Sequence, residues 1–600
     1  MKSNCADPFP LEGEGWRLLL AGLLLTTATP ALAARPNIVV LLADDWGFSD
    51  VGAYGSEIAT PNIDALARAG TRFSNFHVAA SCAPTRAMLQ TGVSHHRAGL
   101  GNMPETIPPA HQGKPGYDAV INDRVVTIAQ MLQAAGYRTA FSGKWHLGKT
   151  RDKLPRARGY DHAFALSQSG ADNFEDKPNL LLYDHADWSE DDRPAKLPKD
   201  FYSSRFIIDK AVQYIDTGDP RRPFFASINF LANHIPVQAP DADIAAYRGR
   251  YDTGWTALRA ARRARTIAAG VMPADVGLVT MDSTTDWATL SPAEQKQRSR
   301  AFEAYAGMAT AMDREVGRLV AHLKASGQYD NTIFVFLSDN GPEGIDPMAG
   351  INGIFARAYY NQRPDQQGRP GSLTAIGTSF ASAAASPLRG YKFTASEGGL
   401  RVPLIIAWPG NRAWRAGAVQ PAFAQVMDVT PTLLAAAGVA APGETWQGRA
   451  VEPIQGHSLV PLLTGAATSV HPADEPLGYE LAGNAVLFKG DYKLVRNLKP
   501  YGDSVWRLYD IRRDPAETRD LSAAMPDRAR AMAADYAAYA RAEQVLDMPP
   551  GYEAPKQVAD NAMRDLLVPR LKRSLVAMAP WLIGVLGLVV GGIVAWRRRR

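Results

Sequence analysis

Two cysteines occur in this 600-residue chain. Cys5 falls in an N-terminal stretch that reads as an export signal, so the mature part would keep Cys82 alone, with no disulfide framework and no thiolate metal site. A single thiol in an oxidising compartment is exposed to damage. Cys82 is therefore either an inert buried residue or a chemically special one. Its setting, "VAASCAPTRAMLQTG" from Val78 to Gly92, favours the second. Pro84 suits the first turn of a helix and good helix formers follow it. Cys82 is then expected at a helix N-terminus, where the dipole and free N–H groups stabilise negative charge and favour a nucleophile or an anionic substrate.

Four other stretches end in polar residues at one topological position. "PNIVVLLADD" is a β-branched strand closing on Asp44 and Asp45. "YRTAFSGKWHLG" is a shorter strand that follows the amphipathic helix "VVTIAQMLQAAG" and reaches Lys144 and His146. "RPFFASINFLANHIP" leads to His234, and "NTIFVFLSDNG" leads to Asp339 and Asn340. Alternating apolar runs and helical patterns predict an α/β fold, in which ligands bind beyond the carboxyl ends of the strands. Singly, each residue has an ordinary structural use: an Asp after a strand caps or turns the chain, and a lone His satisfies the core. Their repetition past four strand ends would gather them into one site.

Together with "LRGYKFTASEGGLRVPLIIAWPG", which holds Lys392, and "VMDVTPTLLAAAG", these stretches resemble the type I, formylglycine-dependent sulfatases. "CAPTRAMLQTG" fits the family pattern Cys-x-Pro-Ser/Thr-Arg followed by Thr-Gly, and "GYRTAFSGKWHLG" matches the second family signature. The resemblance runs from Pro36 to Val545 and looks closest to bacterial arylsulfatases with Thr in the cysteine motif. Two departures stand out: Asn233 replaces the family Pro before the histidine, and Val93 replaces the Arg that commonly follows Thr-Gly.

The resemblance implies an α/β, alkaline-phosphatase-like large mixed sheet flanked by helices, with a smaller C-terminal α+β domain. It implies that a separate formylglycine-generating enzyme oxidises Cys82 to Cα-formylglycine, which would explain a thiol without a partner. One hydroxyl of the hydrated aldehyde would attack sulfur and the other would then expel sulfate, splitting a hard step into two. Asp44, Asp45, Asp339 and Asn340, with position 82, would hold one Ca²⁺ or Mg²⁺, since they offer oxygen ligands that suit a hard cation. Asp339 would also be able to accept the nucleophile's proton. Arg86, Lys144 and His146 would hold the diol. His234 and Lys392 would contact the sulfate, with His234 the acid for the leaving group. His95 and His96 read as bystanders. The implied substrate is a small-molecule sulfate ester. A phosphodiesterase or phosphonate monoester hydrolase of the same superfamily, and a non-catalytic surface binding protein, remain the alternatives.

Composition is that of a globular enzyme, 46% hydrophobic and 21% charged. The formal charge of +5 falls close to neutrality once Arg597–Arg600 is set aside, which argues against a nucleic-acid partner. Residues 1–34 read as a signal peptide, with an apolar run at 18–27 and Ala31-Leu32-Ala33 as the cleavage site. A catalytic domain is expected over 35–455, an α+β subdomain over 456–545 and a polar linker over 546–573. The uncharged run 574–596 is expected to be a transmembrane helix, with 597–600 as a cytoplasmic arginine tail. These termini predict a single-pass C-terminal anchor in the inner membrane, the catalytic domain lying in the periplasm or outside the cell. Within the large domain, "LRAARRARTIAAG" reads as a solvated basic helix, and residues 345–386 as a long loop shaping the pocket.

Overall fold

All seven residues of the strand Asn37–Ala43 (β1) are buried, as expected of a β-branched run covered on both faces. The computed structural model describes residues 35–179, 182–347 and 350–600, excepting the side chains of 350–352, 355, 582, 583 and 586. β1 lies inside a ten-stranded mixed sheet with β2 (Gly70–Phe73), β3 (Arg138–Lys144), β4 (His162–Leu166), β5 (Trp188–Glu190), β6 (Arg193–Pro194), β7 (Phe224–Asn229), β8 (Thr332–Ser338), β9 (Leu404–Ala407) and β10 (Ala418–Gln420). The spatial order is β10-β2-β9-β8-β1-β7-β3-β4-β5-β6. Strands β8, β1, β7, β3 and β4 run parallel, while β9 runs antiparallel to both β8 and β2. This is the α/β fold with a large mixed sheet that the sequence predicts.

Side chains of β1 alternate between two cores, one on each face of the sheet. Val39, Leu41 and Ala43 enter one core, and Ile38, Val40 and Leu42 enter the other. Helices α1 (Cys82–Thr91) and α2 (Ile128–Ala134) pack into the second core. The first core takes α3 (Ser203–Ile215), α4 (Gly254–Ala268), α5 (Pro292–Ala325) and α6 (Gly377–Ala384). The 34-residue α5 starts where its sequence says it should, with Pro292 in the first turn and a reciprocal Ser291–Glu294 capping box.

Beyond residue 476 the chain forms an antiparallel sheet of β11 (Leu477–Leu481), β12 (Asn484–Lys489), β13 (Tyr492–Arg496) and β14 (Arg507–Asp510). One face, with Ala485, Leu487, Leu494 and Leu508, packs on Met532 and Tyr536 of α7 (Pro526–Ala542). The other face, with Val486, Phe488, Val495 and Tyr509, joins the second core of the large sheet.

Three expectations from the sequence need correction or refinement. The basic helix α4 is not solvated all round: Arg259 and Arg262 are buried. The Arg262 guanidinium donates to Asp50 Oδ1 at 2.6 Å and to both Glu57 carboxylate oxygens at 2.8 and 2.9 Å. Helical spacing puts Arg262 on the same stripe as the buried Trp255, Leu258 and Thr266, so the arginine enters the core with its counterions. The stretch 345–386 is not all loop, because α6 lies buried within it and Phe380 stacks on Phe302 with centroids 4.5 Å apart. The third correction concerns the C-terminus. Residues 568–598 do form a helix, α8 (Val568–Arg598). However, no helix among the described residues is long and apolar enough to cross a membrane. The transmembrane helix, the membrane partner and the inner-membrane anchor read from 574–596 are therefore set aside. The signal peptide read from residues 1–34 lies outside the described residues.

Candidate active site

Parallel strands bring their carboxyl ends to one edge of a sheet, and this geometry builds the site. Ala43 and Ser338 are register partners, so the residues that follow them, Asp44 and Asp339, leave neighbouring strands side by side. Asp339 N donates to Ala43 O at 3.1 Å, and Asp44 N donates to Ala232 O at 2.8 Å in the segment after β7. Asp45 turns away with φ +61°, a left-handed conformation that Asp tolerates better than most residues. Its N–H donates to Asp339 Oδ1 at 3.3 Å, and Asn340 Nδ2 donates to Asp45 Oδ1 at 2.6 Å. Cys82 opens α1, with its Sγ 3.6 Å from Asp44 Oδ1. One ligand atom each from Asp44, Asp45, Cys82 and Asp339 lies within 4.8 Å of the others, and Asp44, Cys82 and His234 form a second such group.

Cations surround this acidic centre. Arg86, one turn into α1, donates from Nε and Nη2 to Asp339 Oδ2 at 3.0 and 2.7 Å, and from Nη1 to Lys144 O at 2.7 Å. Lys144, the last residue of β3, donates to Asp44 Oδ2 at 2.6 Å. Lys392 Nζ lies 2.7 Å from Asp45 Oδ1 and 3.0 Å from Glu343 Oε2. All three are buried. Burial alone would discharge the lysines, but Asp44 keeps Lys144 above its ordinary pKa, and Asp45 does the same for Lys392.

The carboxylates respond differently to the same burial. Burial, reinforced by Asp339 and opposed by Lys144, raises Asp44 to about 7. At Asp45 burial is outweighed by Lys392 and His234, which lower it to about 2. Burial also pushes the Cys82 thiol well above its ordinary value against the pull of Lys144 and Lys392, so the unmodified side chain is a neutral thiol. Two buried oxygens in this centre, Asp45 Oδ2 and Asn340 Oδ1, have no hydrogen-bond partner. Unpartnered buried oxygens beside further carboxylate oxygens fit a hard divalent cation.

The two histidines are oriented by their neighbours. His234 Nδ1 donates to Ile235 O at 2.7 Å, which places its proton on Nδ1 and leaves Nε2 3.4 Å from Ser169 Oγ and 3.9 Å from Asp45 Oδ2. Burial, then Lys144 and Lys392, hold its pKa well below the ordinary value. His146 sits at φ +56°, with Nε2 3.2 Å from Glu105 Oε1 and Nδ1 buried without a partner. Tyr183 donates to the same Glu105 oxygen. The C-terminal segment braces this wall: Tyr552 Oη donates to Thr106 O at 2.9 Å, and Asn561 Nδ2 donates to Glu105 O and Ile107 O at 2.9 and 3.0 Å.

The structure thus brings Asp44, Asp45, Cys82, Arg86, Lys144, His234, Asp339, Asn340 and Lys392 into one buried cluster, while His146, two residues past Lys144, pairs with Glu105. Sequence reasoning missed Glu343, Glu105, Tyr183 and Ser169. Glu343 had a signal, three residues past Asn340 at a strand end; Tyr183 and Ser169 lie in loops and Glu105 in a single 3-10 turn, none with one. His95 and His96 lie apart, tied to Leu100 O and Glu480. Of the two departures, Val93 is buried and Asn233 donates to Tyr305 O at 3.0 Å.

A family profile described as Sulfatase matches residues 36–439, and one described as N-sulphoglucosamine sulphohydrolase, C-terminal, matches residues 392–533. The chain is 35% identical to an arylsulfatase of Klebsiella aerogenes over 458 residues, covering 74% of this chain and 94% of that protein. It is 37% identical to an uncharacterised sulfatase of Schizosaccharomyces pombe over 514 residues, covering 83% and 92% of the two chains. The crystal structure of Ps i-CgsB superposes with a TM-score of 0.61 at 25% identity, covering 90% of this chain and 99% of that one.

Proposed function

This chain belongs to the sulfatase family and is a sulfuric ester hydrolase, and from that premise we propose that it cleaves small aryl sulfate esters with formylglycine at position 82 and one divalent cation. The arylsulfatase similarity supports the substrate class. Asp44, Asp45, Asp339 and Asn340 would hold Ca²⁺ or Mg²⁺. When bound, the cation polarises the sulfate, and the hydrated aldehyde supplies an oxygen nucleophile with a second hydroxyl to release the product.

The remaining work falls to the chain's own side chains. Arg86 is locked onto Asp339 by two hydrogen bonds and would orient the nucleophile's oxygens together with Lys144 and His146 Nδ1. Lys392 and His234 flank Asp45 on another side and would bind the sulfate oxygens. His234 carries its resting proton on Nδ1, so Nε2 is the atom that would gain a proton and pass it to the leaving oxygen. An arriving sulfate ester brings negative charge and raises the pKa of a neutral buried imidazole, which favours that protonation. Fixed cations in a water-poor site stabilise developing anionic charge without reorganising, and losing one such group costs about 10²–10³ in rate.

The observation that carries this reading is the convergence of Arg86, Lys144 and Lys392 on the oxygen-rich centre beside Cys82. The test is paired. Mass spectrometry of the tryptic peptide Phe73–Arg86, from protein made with a formylglycine-generating enzyme, should show the aldehyde or its hydrate. The same sample should turn over 4-nitrophenyl sulfate faster than a phosphate diester or a phosphonate monoester. Cysteine alone in that peptide, or preference for a phosphorus ester, would overturn the proposal.

A further inference from the structure

Away from the active site, two histidines and a glutamate converge in the loops that precede β11. His457 Nε2 lies 3.2 Å from Glu475 Oε1, and His471 Nδ1 lies 2.9 Å from Glu475 Oε2. One ligand atom from each residue falls within 4.8 Å of the others. We propose that His457, His471 and Glu475 form a second metal site, selective for a borderline transition metal of the Zn²⁺ type, with an open fourth position.

Three observations support the assignment. The first is size. Tetrahedral zinc with bonds of about 2.0–2.2 Å separates its ligand atoms by roughly 3.3 Å, and the two imidazoles approach the two oxygens of Glu475 at 3.2 and 2.9 Å, within a few tenths of an ångström of that span. The second is the backing of a ligand by a carboxylate. His471 Nε2 lies 2.9 Å from Asp428 Oδ2, so the ring donates there and turns Nδ1 toward Glu475; metal-bound histidines are commonly oriented this way. Asp428 also receives the His457 N–H through Oδ1 at 2.8 Å, so one buried carboxylate sets both ligand-bearing segments. The third is exposure. His471 is buried while the His457 and Glu475 side chains are 39% and 26% exposed, and His471 and Glu475 line a cleft of about 790 Å³. An ion there has an entry path, and its fourth position can take water or a ligand from the cleft.

Ligand chemistry separates this site from the catalytic one. Two imidazoles and one carboxylate suit Zn²⁺, Ni²⁺ or Cu²⁺, whereas the oxygen set at Asp44, Asp45, Asp339 and Asn340 suits Ca²⁺ or Mg²⁺. Binding would also pin the His457 segment to the 471–475 segment. β11 begins two residues beyond Glu475 and carries Tyr479, whose Oη accepts from Ala80 N at 2.8 Å, two residues before Cys82. Metal ligation is a competition with protons. An imidazole must shed a proton from the nitrogen that ligates, so zinc affinity should rise with pH.

The test is calorimetric titration of Zn²⁺ into the whole protein, first dialysed against 1,10-phenanthroline and then held in millimolar Ca²⁺. The expected result is one site per chain, lost by at least 100-fold in affinity in His457→Ala. That variant should keep its aryl sulfatase turnover and its melting temperature without zinc, whereas zinc should raise the melting temperature of the wild type alone. Co²⁺ in place of Zn²⁺ should give visible d–d bands that His457→Ala lacks. Absence of zinc binding, or binding that His457→Ala leaves unchanged, overturns the proposal.

Discussion

Lys392 Nζ and Asp45 Oδ1 lie 2.7 Å apart with the lysine side chain 2% exposed and the aspartate fully buried. The pair joins the loop before β9 to the end of β1, and Glu343 is the lysine's second counterion. Lys392→Ala should strip the cation from two buried carboxylates and from the proposed sulfate position together. Turnover of 4-nitrophenyl sulfate is expected to fall by about 10²–10³-fold. Activity within a few fold of wild type would place Lys392 outside the reacting centre.

Metal dependence follows from the unpartnered oxygens Asp45 Oδ2 and Asn340 Oδ1. Exhaustive treatment with a calcium-selective chelator should abolish turnover, and Ca²⁺ or Mg²⁺ should restore it. Asn340→Ala removes one of those oxygens and the donor to Asp45. The metal concentration giving half-maximal activity should rise at least tenfold, roughly the 1.4 kcal/mol or more expected when a buried polar partner is lost.

The Arg262–Glu57 pair gives a stability signature in acid. Burial would raise Glu57, but Arg262 outweighs it and lowers the carboxyl from 4.5 to about 2. A depressed carboxyl contributes stability above its unfolded pKa and loses it as pH falls through the folded value. The contribution, of order 3 kcal/mol, should therefore be complete above about pH 4.5 and fade toward pH 2. Urea denaturation of Glu57→Gln should show a deficit of that order at pH 7 that narrows below pH 4.5. A deficit independent of pH would remove the ion pair as its cause.

Gly341 follows Asn340 where two backbones touch. A Cβ there would stand 1.9 Å from Gly398 O, and neither segment is a flexible side chain that could move aside. Gly341→Ala should displace the Asp339–Asn340 turn, costing about 1–3 kcal/mol of stability and weakening metal activation in the same protein. Normal metal activation in a destabilised variant would uncouple the turn from the site.

Local pattern made much of this molecule readable. Apolar runs of β-branched residues identified β1 and β8, and helical spacing after Pro84 placed Cys82 at the start of α1. Strand ends followed by Asp44, Asp339 and Lys144 pointed to one edge of a parallel sheet, because parallel register itself carries those residues together. The same kind of reasoning failed where local pattern is ambiguous. "LRAARRARTIAAG" has the composition of a solvated helix, yet Arg262 is buried because Asp50 and Glu57, some two hundred residues earlier, wait for it. The uncharged run at 574–596 suggested a membrane span, and the described residues hold no helix that meets that requirement.

What the sequence by itself determined was the set of elements, the family resemblance and the residues that follow the strands. What only the tertiary structure decided was partnership: Glu105 with His146, Glu343 with Lys392, and Asp428 behind His471. Hydrophobic periodicity records whether a position faces a core, since burial repeats with the geometry of each element. A contact between two loops leaves no such period, because it depends on where distant segments arrive in space.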